Sequence, residues 1–272
     1  VNRTSFTAAA VVALAACAGG QTAEAPIYEL RATEAPLRYQ FDGSQSTVIE
    51  IPSGGEQKVE TQTSATIAVS YGTRTEAGLP FDLTFEALDV TGAGAAPDLS
   101  ALVGAPIRGV IDDNGEVTVE EAPDVDIPGA DPASLAGQTL ALLMIPLPPD
   151  GDPSVESWPL ERTRSPGGGM TGTTTFSGSA SFAADSAWQG GEARVIVSRG
   201  DLRQRATGTP AGAPSEVDVD FEGESTTRYV WDPRRGVVLH VEQELKTEGT
   251  ITMQTMSFPT TATGTQTVDL LP

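Results

Sequence analysis

Lys58-Val59-Glu60-Thr61-Gln62-Thr63-Ser64-Ala65-Thr66-Ile67-Ala68-Val69-Ser70-Tyr71 is the stretch that decides the fold. Val59, Thr61, Thr63, Ala65, Ile67, Val69 and Tyr71 fall on one side of it, and Glu60, Gln62, Ser64, Thr66 and Ser70 on the other. A repeat of two residues belongs to a β-strand, whose successive side chains point to opposite faces. Sustained over the whole run, it predicts a strand with one face on a core and the other in water.

The flanking sequence reads the same way. Leu37, Tyr39 and Phe41 alternate with polar residues up to Asp42-Gly43, which reads as a turn, and Thr47 to Ile51 stays extended until Pro52. Phe81, Leu83 and Phe85 open a further strand whose alternation slips near Leu88, as at a β-bulge. Ile107 to Val119 reads as a hairpin around Asp112-Asp113-Asn114-Gly115, whose Asn-Gly pair suits positive φ. That acidic turn lacks the alternating oxygen ligands and distal Glu of an EF-hand loop, so a structural turn is favoured over a Ca²⁺ site.

One helix is predicted. Asp131 caps it, Pro132 takes its first position, and Leu135, Thr139, Leu142 and Leu143 form its apolar stripe. The stripe is expected to cover one face of a sheet, with a lid over an apolar cavity as the alternative. Pro146 ends the helix, and the proline-rich stretch from there to Ser157 divides the chain.

Beyond the divide the style repeats. Met170 to Ala184 is rich in Thr, Ser and Gly around Phe176 and Phe182, and Ala193 to Val197 and Glu216 to Phe221 read as short strands. Tyr229-Val230-Trp231, the turn Asp232 to Gly236, and Val237 to Val241 form a second hairpin. Val110-Ile111-Asp112 and Val230-Trp231-Asp232 correspond loosely, a hint of two related halves. Ile251 to Met253 and Thr265 to Leu270 close the pattern. The expectation is a mainly β protein of two antiparallel β-sheet halves, or an open or split barrel, with one short covering helix.

The start of the chain reads differently. Arg3 makes a small positive n-region, Phe6 to Leu14 an apolar h-region, and Ala15 and Ala16 leave room for a peptidase. The apolar run is shorter than the roughly 20 residues a spanning helix needs. Ala13-Leu14-Ala15 and Ala16-Cys17-Ala18 both have the small-x-small form of an ordinary secretory cleavage site. Leu14-Ala15-Ala16-Cys17, however, resembles the lipobox of bacterial lipoproteins at every position. That resemblance implies thioether lipidation of Cys17 and cleavage just before it. Cys17 is the only cysteine, and a lone thiol has no partner within the chain in an oxidising compartment. Ala18 in place of Asp favours the outer over the inner membrane. The expected divisions are a signal peptide at 1–16, a lipidated cysteine and flexible tether at 17–36, a first β half with its helix at 37–145, a join at 146–157, and a second β half at 158–272.

Cleavage before Cys17 would leave about 256 of the 272 residues, enough for a real core. The formal net charge of −21 argues against nucleic acid and against binding to anionic lipid headgroups, since both partners are negative. Candidate chemistry is sparse. The single histidine, His240, is expected to face solvent, opposite Val237, Leu239 and Val241 and on the side of Val238 and Glu242. No serine stands in a G-x-S-x-G setting, and neither Lys58 nor Lys246 follows a serine by three residues. With one histidine and one cysteine, a zinc site is not expected. Gly167, Gly169 and Gly172 spell G-x-G-x-x-G without a following helix, which reads as a chance match. Asp124 with Asp126, and Asp218 with Asp220, pair carboxylates on strand faces, and a solvated face is the favoured reading of both.

Ile111, Asp112, Gly115, Pro146, Trp158, Trp231, Asp232 and Gly236 give the chain a layout similar to that of uncharacterised, secreted, β-rich bacterial lipoproteins. A looser similarity in layout is to the open β-barrels that ferry lipoproteins across the periplasm, as an analogy of fold alone. The expected function is non-enzymatic and without a cofactor: a membrane-anchored envelope binding or assembly module of unknown ligand, held through Cys17, that presents a sheet surface or a cleft between its halves to a partner. The alternative is a periplasmic carrier of lipid or another apolar ligand, using the concave face under Leu135 to Ile145.

Overall fold

In a computed structural model, the structure describes residues 28–52, 54–92, 98–113, 115–125, 131–165, 170–183, 186–188, 191–209 and 215–272. Leu14, Ala15, Ala16 and Cys17 lie outside these residues, as do Asn114, Asp126, Gly167 and Gly169.

Alternation produces the strand that it predicts. In β2 (Gly55–Tyr71), Ala65, Ile67, Val69 and Tyr71 are buried, and the residues between them are not. It stands in a first wing with β1 (Leu37–Ile51), β3 (Leu79–Gly92), β4 (Pro106–Ile111) and β5 (Val117–Glu121). The second wing holds β6 (Ser157–Arg164), β7 (Met170–Phe182), β9 (Gly191–Gly208), β10 (Val217–Asp232), β11 (Val237–Met253) and β12 (Met256–Leu270). A short β8 (Ser186–Trp188) pairs with β9. Every pairing is antiparallel, in the order β5-β4-β3-β2-β1-β12-β11-β10-β9-β7-β6.

The first and last strands join the wings. β1 and β12 pair continuously from Tyr39 with Leu270 to Ile49 with Thr260. The two β halves are therefore arms of one sheet, which is not closed, with β5 and β6 as its edges. The sheet curls so far that Arg162 on β6 donates to the carbonyl of Met144, just after the helix, at 3.0 Å. Its guanidinium also approaches Gly115 in the β4–β5 turn. Close approach of strands helps this curling. A side chain on Gly200 would collide with the backbone of Ser177 and Gly178 on β7.

Other expectations meet the structure in detail. Glu86 is the extra residue of a bulge, with Thr66 opposite Ala87 and Ile67 opposite Phe85, close to the slip read at Leu88. Both hairpins form. Asp232 accepts from the backbone N–H groups of Arg234 and Arg235, and Gly236 takes a positive φ of 67°. Asp42-Gly43 is not a turn: β1 runs through it, and the chain reverses between Ile51 and Gly55. The Asp42 carboxylate accepts from the Ser64 hydroxyl on β2 at 2.8 Å, so it bonds across the sheet rather than to its own backbone. β9 and β10 are long, where short strands were expected. Past Val197 the inward residues are Ser198, Gly200, Leu202 and Gln204, which carry little hydrophobic pattern, yet the ladder to β7 and β10 continues to Gly208.

The helix α1 (Pro132–Leu143) starts where predicted, with the Asp131 carboxylate accepting from the Ser134 N–H at 2.9 Å. Its buried stripe is corrected: Pro132, Ala136, Leu140 and Leu143 are buried, whereas Leu135, Thr139 and Leu142 are half-exposed. The segment 28–36, placed by the sequence reading within the tether, lies along the barrel. The Tyr28 N–H donates to Gly151 O, its ring meets Phe182 edge-on at 5.9 Å, and the Thr33 N–H donates to Tyr71 O. Among the described residues no helix is long and apolar enough to cross a membrane.

Candidate functional site

Strand register places residues in layers along the concave face. Phe41, Val268, Val241, Tyr229, Ile196 and Phe182 are cross-strand neighbours from β1 through β7. All are apolar or aromatic, and they form part of the core. Two residues along each strand, the next layer is Gly43, Gln266, Gln243, Thr227, Ser198 and Ala180. The third is Gln45, Gly264, Leu245, Ser225, Gly200 and Gly178. Bulk thus thins midway down the wall, where small or amide-bearing side chains replace it everywhere but at Leu245. The polar ones partly satisfy each other, as when Gln243 Nε2 donates to Thr227 Oγ1 at 3.1 Å.

That loss of bulk leaves room. Between α1 and the wall lies a cavity of about 630 Å³, within the roughly 300–1,000 Å³ usual for small-molecule sites. Leu135, Thr139 and Leu142 of α1 roof it, Phe85, Leu88 and Val90 line its β3 side, and Leu160, Phe176 and Leu202 line its far side. The helix stripe expected to cover the sheet therefore faces open space, and the other side of the helix packs on the barrel. Two of the sequence readings are thus combined in one helix.

Its charge is distinctive. The chain has 37 acidic residues, yet among the described residues that line the cavity none is Asp or Glu. The charged ones are Arg162 and Arg164. Trp158, Leu160, Arg162 and Arg164 share one face of β6, which its pairing with β7 turns inward. Among the described residues neither arginine forms an ion pair, and Arg162 Nε is buried with no hydrogen-bond partner. Arg164 is exposed by area, yet it lies among enough protein that loss of water pulls its guanidinium below its usual value. Repulsion from Arg162 adds to that. Burial pushes the nearby Tyr229 phenol up, against the opposing pull of both arginines. The arrangement suits a ligand with a long apolar part and a polar or anionic end.

The outer face contrasts with this. Arg38 with Glu86, Arg108 with Asp82 and Glu121, and Arg228 with Glu242 lay ion pairs across it. A second, more open hollow of about 510 Å³ is lined by Glu60, Glu224, Glu244 and Lys246, among polar neighbours.

The residues singled out by sequence fall elsewhere. Asp218 and Asp220 stand on the exposed outer face of β10, where Asp220 lies 3.5 Å from Arg205. Gly172 is within β7. Asp112 accepts from the Glu116 N–H and shapes its own turn, and Asp113 pairs with Arg74. Among the described residues no group of three or more His, Cys, Asp or Glu is placed to hold a metal ion. His240 corrects its reading. It does lie opposite Val241, but it is only 8% exposed, and Val237 and Leu239, expected on the other side, cluster with its register partner Val230, because the β11 bulge shifts the alternation there. Its Nδ1 lies 2.7 Å from Asp269 and its Nε2 is 3.2 Å from Glu242. Arg162, Arg164 and the wall glutamines were not read as site residues. The available signal was their parity: two arginines continue the apolar face of Trp158 and Leu160.

Fold and cavity together define an open antiparallel β-barrel with a helix-roofed, amphipathic interior. A scan against protein-family models gives no match, and no curated protein matches the chain.

Proposed function

We propose that this protein is a non-enzymatic carrier, which takes up an apolar or amphipathic small molecule in the cavity beneath α1. It would work outside the cytoplasm, tethered to a membrane through acyl chains on Cys17. The observation that carries the reading is α1 itself. One side of it is buried on the barrel, and the other presents Leu135 and Leu142 to the cavity. Half-exposed leucines over a cavity cost hydrophobic free energy that a ligand recovers. A protein-binding sheet surface, the other function expected from sequence, has less support, since the outer face is laid with solvated ion pairs.

Native mass spectrometry and organic extraction of the protein purified from its own membranes test the carrier reading. A co-purifying lipid or other apolar molecule is expected. A chain that comes away empty, and that also fails to bind added amphiphiles, sinks it. Fractionation of Cys17→Ser tests the anchor separately: release from the membrane fraction is expected, and retention would overturn the tether.

A further inference from the structure

Resting on the carrier reading, we propose that Arg162 and Arg164 form a headgroup site, so that the ligand is an acyl amphiphile with an anionic carboxylate or phosphate end. The head would sit at the β6 edge, and the chain would run under Leu135 and Leu142 toward Leu88 and Val90 on β3.

Four observations lead there. The chain carries a net charge of −21, and every other wall residue described at the cavity is uncharged. Two cations side by side repel one another, and nothing acidic among the described wall residues offsets them. Arg162 is already tethered: one terminal nitrogen donates to Met144 O, while its Nε stays buried and unbonded. A guanidinium suits an oxygen anion, because its N–H groups match a carboxylate or phosphate edge geometrically. Finally, the apolar wall begins directly beside the pair, since Phe176 is the register partner of Arg162. Head and chain sites are therefore adjacent.

A fluorescent fatty acid displaced from the purified protein reads the binding. The competitors are palmitate, a palmitoyl lysophosphatidate, hexadecanol and inorganic phosphate. Palmitate or the lysophosphatidate is expected to bind more tightly than hexadecanol, and the tighter of the two identifies the head as carboxylate or phosphate. Arg164→Gln is expected to weaken the anionic amphiphile about tenfold and to leave hexadecanol unchanged. Arg164→Lys, which keeps the charge, is expected to recover most of the loss. Arg164 is exposed and is the last paired residue of an edge strand, so its replacement spares the core, and a thermal melt confirms that each variant is folded.

Equal affinity for hexadecanol and the anionic amphiphiles overturns the headgroup site while leaving the carrier intact. An Arg164→Gln variant that keeps its preference for anions does the same. Inorganic phosphate that competes as well as the amphiphiles makes the pair a free-anion site and overturns the proposal. If no amphiphile binds, the carrier reading itself fails.

Discussion

The Tyr39 hydroxyl on β1 donates to the carbonyl of Val238 on β11 at 3.0 Å, across 199 positions of sequence and inside the core. The bond passes the end of β12, the strand between them. Pairing of β11 with β12 begins only at His240, and Leu239 is the extra residue where β10 and β11 shift register. The bulge therefore leaves the Val238 carbonyl to a side chain. Tyr39→Phe removes the donor and strands a buried acceptor, which costs about 1–3 kcal/mol. A urea titration is expected to show an earlier midpoint with an unchanged slope. An unmoved midpoint would mean that water replaces the phenol.

Two glycines should respond oppositely to alanine. Gly109 on β4 lies so close to Thr118 O and the Phe81 ring that a Cβ there would overlap both. Gly137 is in the middle of α1 with nothing within 4 Å of its Cβ position. Gly109→Ala is expected to lower stability by a few kcal/mol, since a backbone or a buried ring must move. Gly137→Ala is expected to raise it by roughly 0.5–1 kcal/mol through helix propensity. Thermal melts of the two variants check this, and a stabilised Gly109→Ala would show that the β4–β5 ladder is looser than its geometry.

Burial also sets a limit on alkaline conditions. It pushes the phenols of Tyr39, Tyr71 and Tyr229 up, with Tyr39 and Tyr71 the furthest from their ordinary range. A folded-state value raised above the unfolded one favours the fold fully below about pH 10, where both states are protonated. Above it the unfolded chain releases protons that the folded chain holds, and stability falls as pH rises. Tyrosinate absorbance from these three is expected to appear together with unfolding, not before it. Tyr71→Phe should make the fall shallower, and ionisation of all three in a still-folded chain would refute the burial argument.

The fold was legible wherever one face of a strand is buried and the other wet. Lys58 to Tyr71 alternates because Ile67 and Val69 meet a core while Thr66 and Ser70 meet water. The same logic hid the cavity. Gln243, Gln266, Thr227 and Ser198 line an interior space, but polar side chains on both faces read as an exposed or irregular segment. Long strands such as β9 were therefore read as short ones. The pairing of β1 with β12 was not legible, because the ends of the chain carry no mutual signal beyond their shared strand character. In Leu160-Glu161-Arg162-Thr163-Arg164 the parity of the two arginines with Trp158 and Leu160 is a faint signal, and the register with β7 shows that this face turns inward.

The two sides of α1 should separate stability from binding. Leu140 is fully buried against the barrel, while Leu142 is half-exposed and roofs the cavity. Leu140→Ala opens a hole in a packed core and is expected to cost about 2–5 kcal/mol. Any fall in ligand affinity should then follow from the helix loosening. Leu142→Gln keeps the length of the side chain and removes little packing, so the unfolding midpoint should move by less than about 1 kcal/mol. It places an amide where the acyl chain would lie, and an amide stripped of water against hydrocarbon costs about 1–3 kcal/mol. Affinity for palmitate should accordingly fall some fivefold or more in a protein of nearly unchanged stability. Measured side by side, the variants should fall in opposite corners of a plot of stability against affinity. If Leu142→Gln binds as the parent does, the roof of the cavity does not touch the ligand.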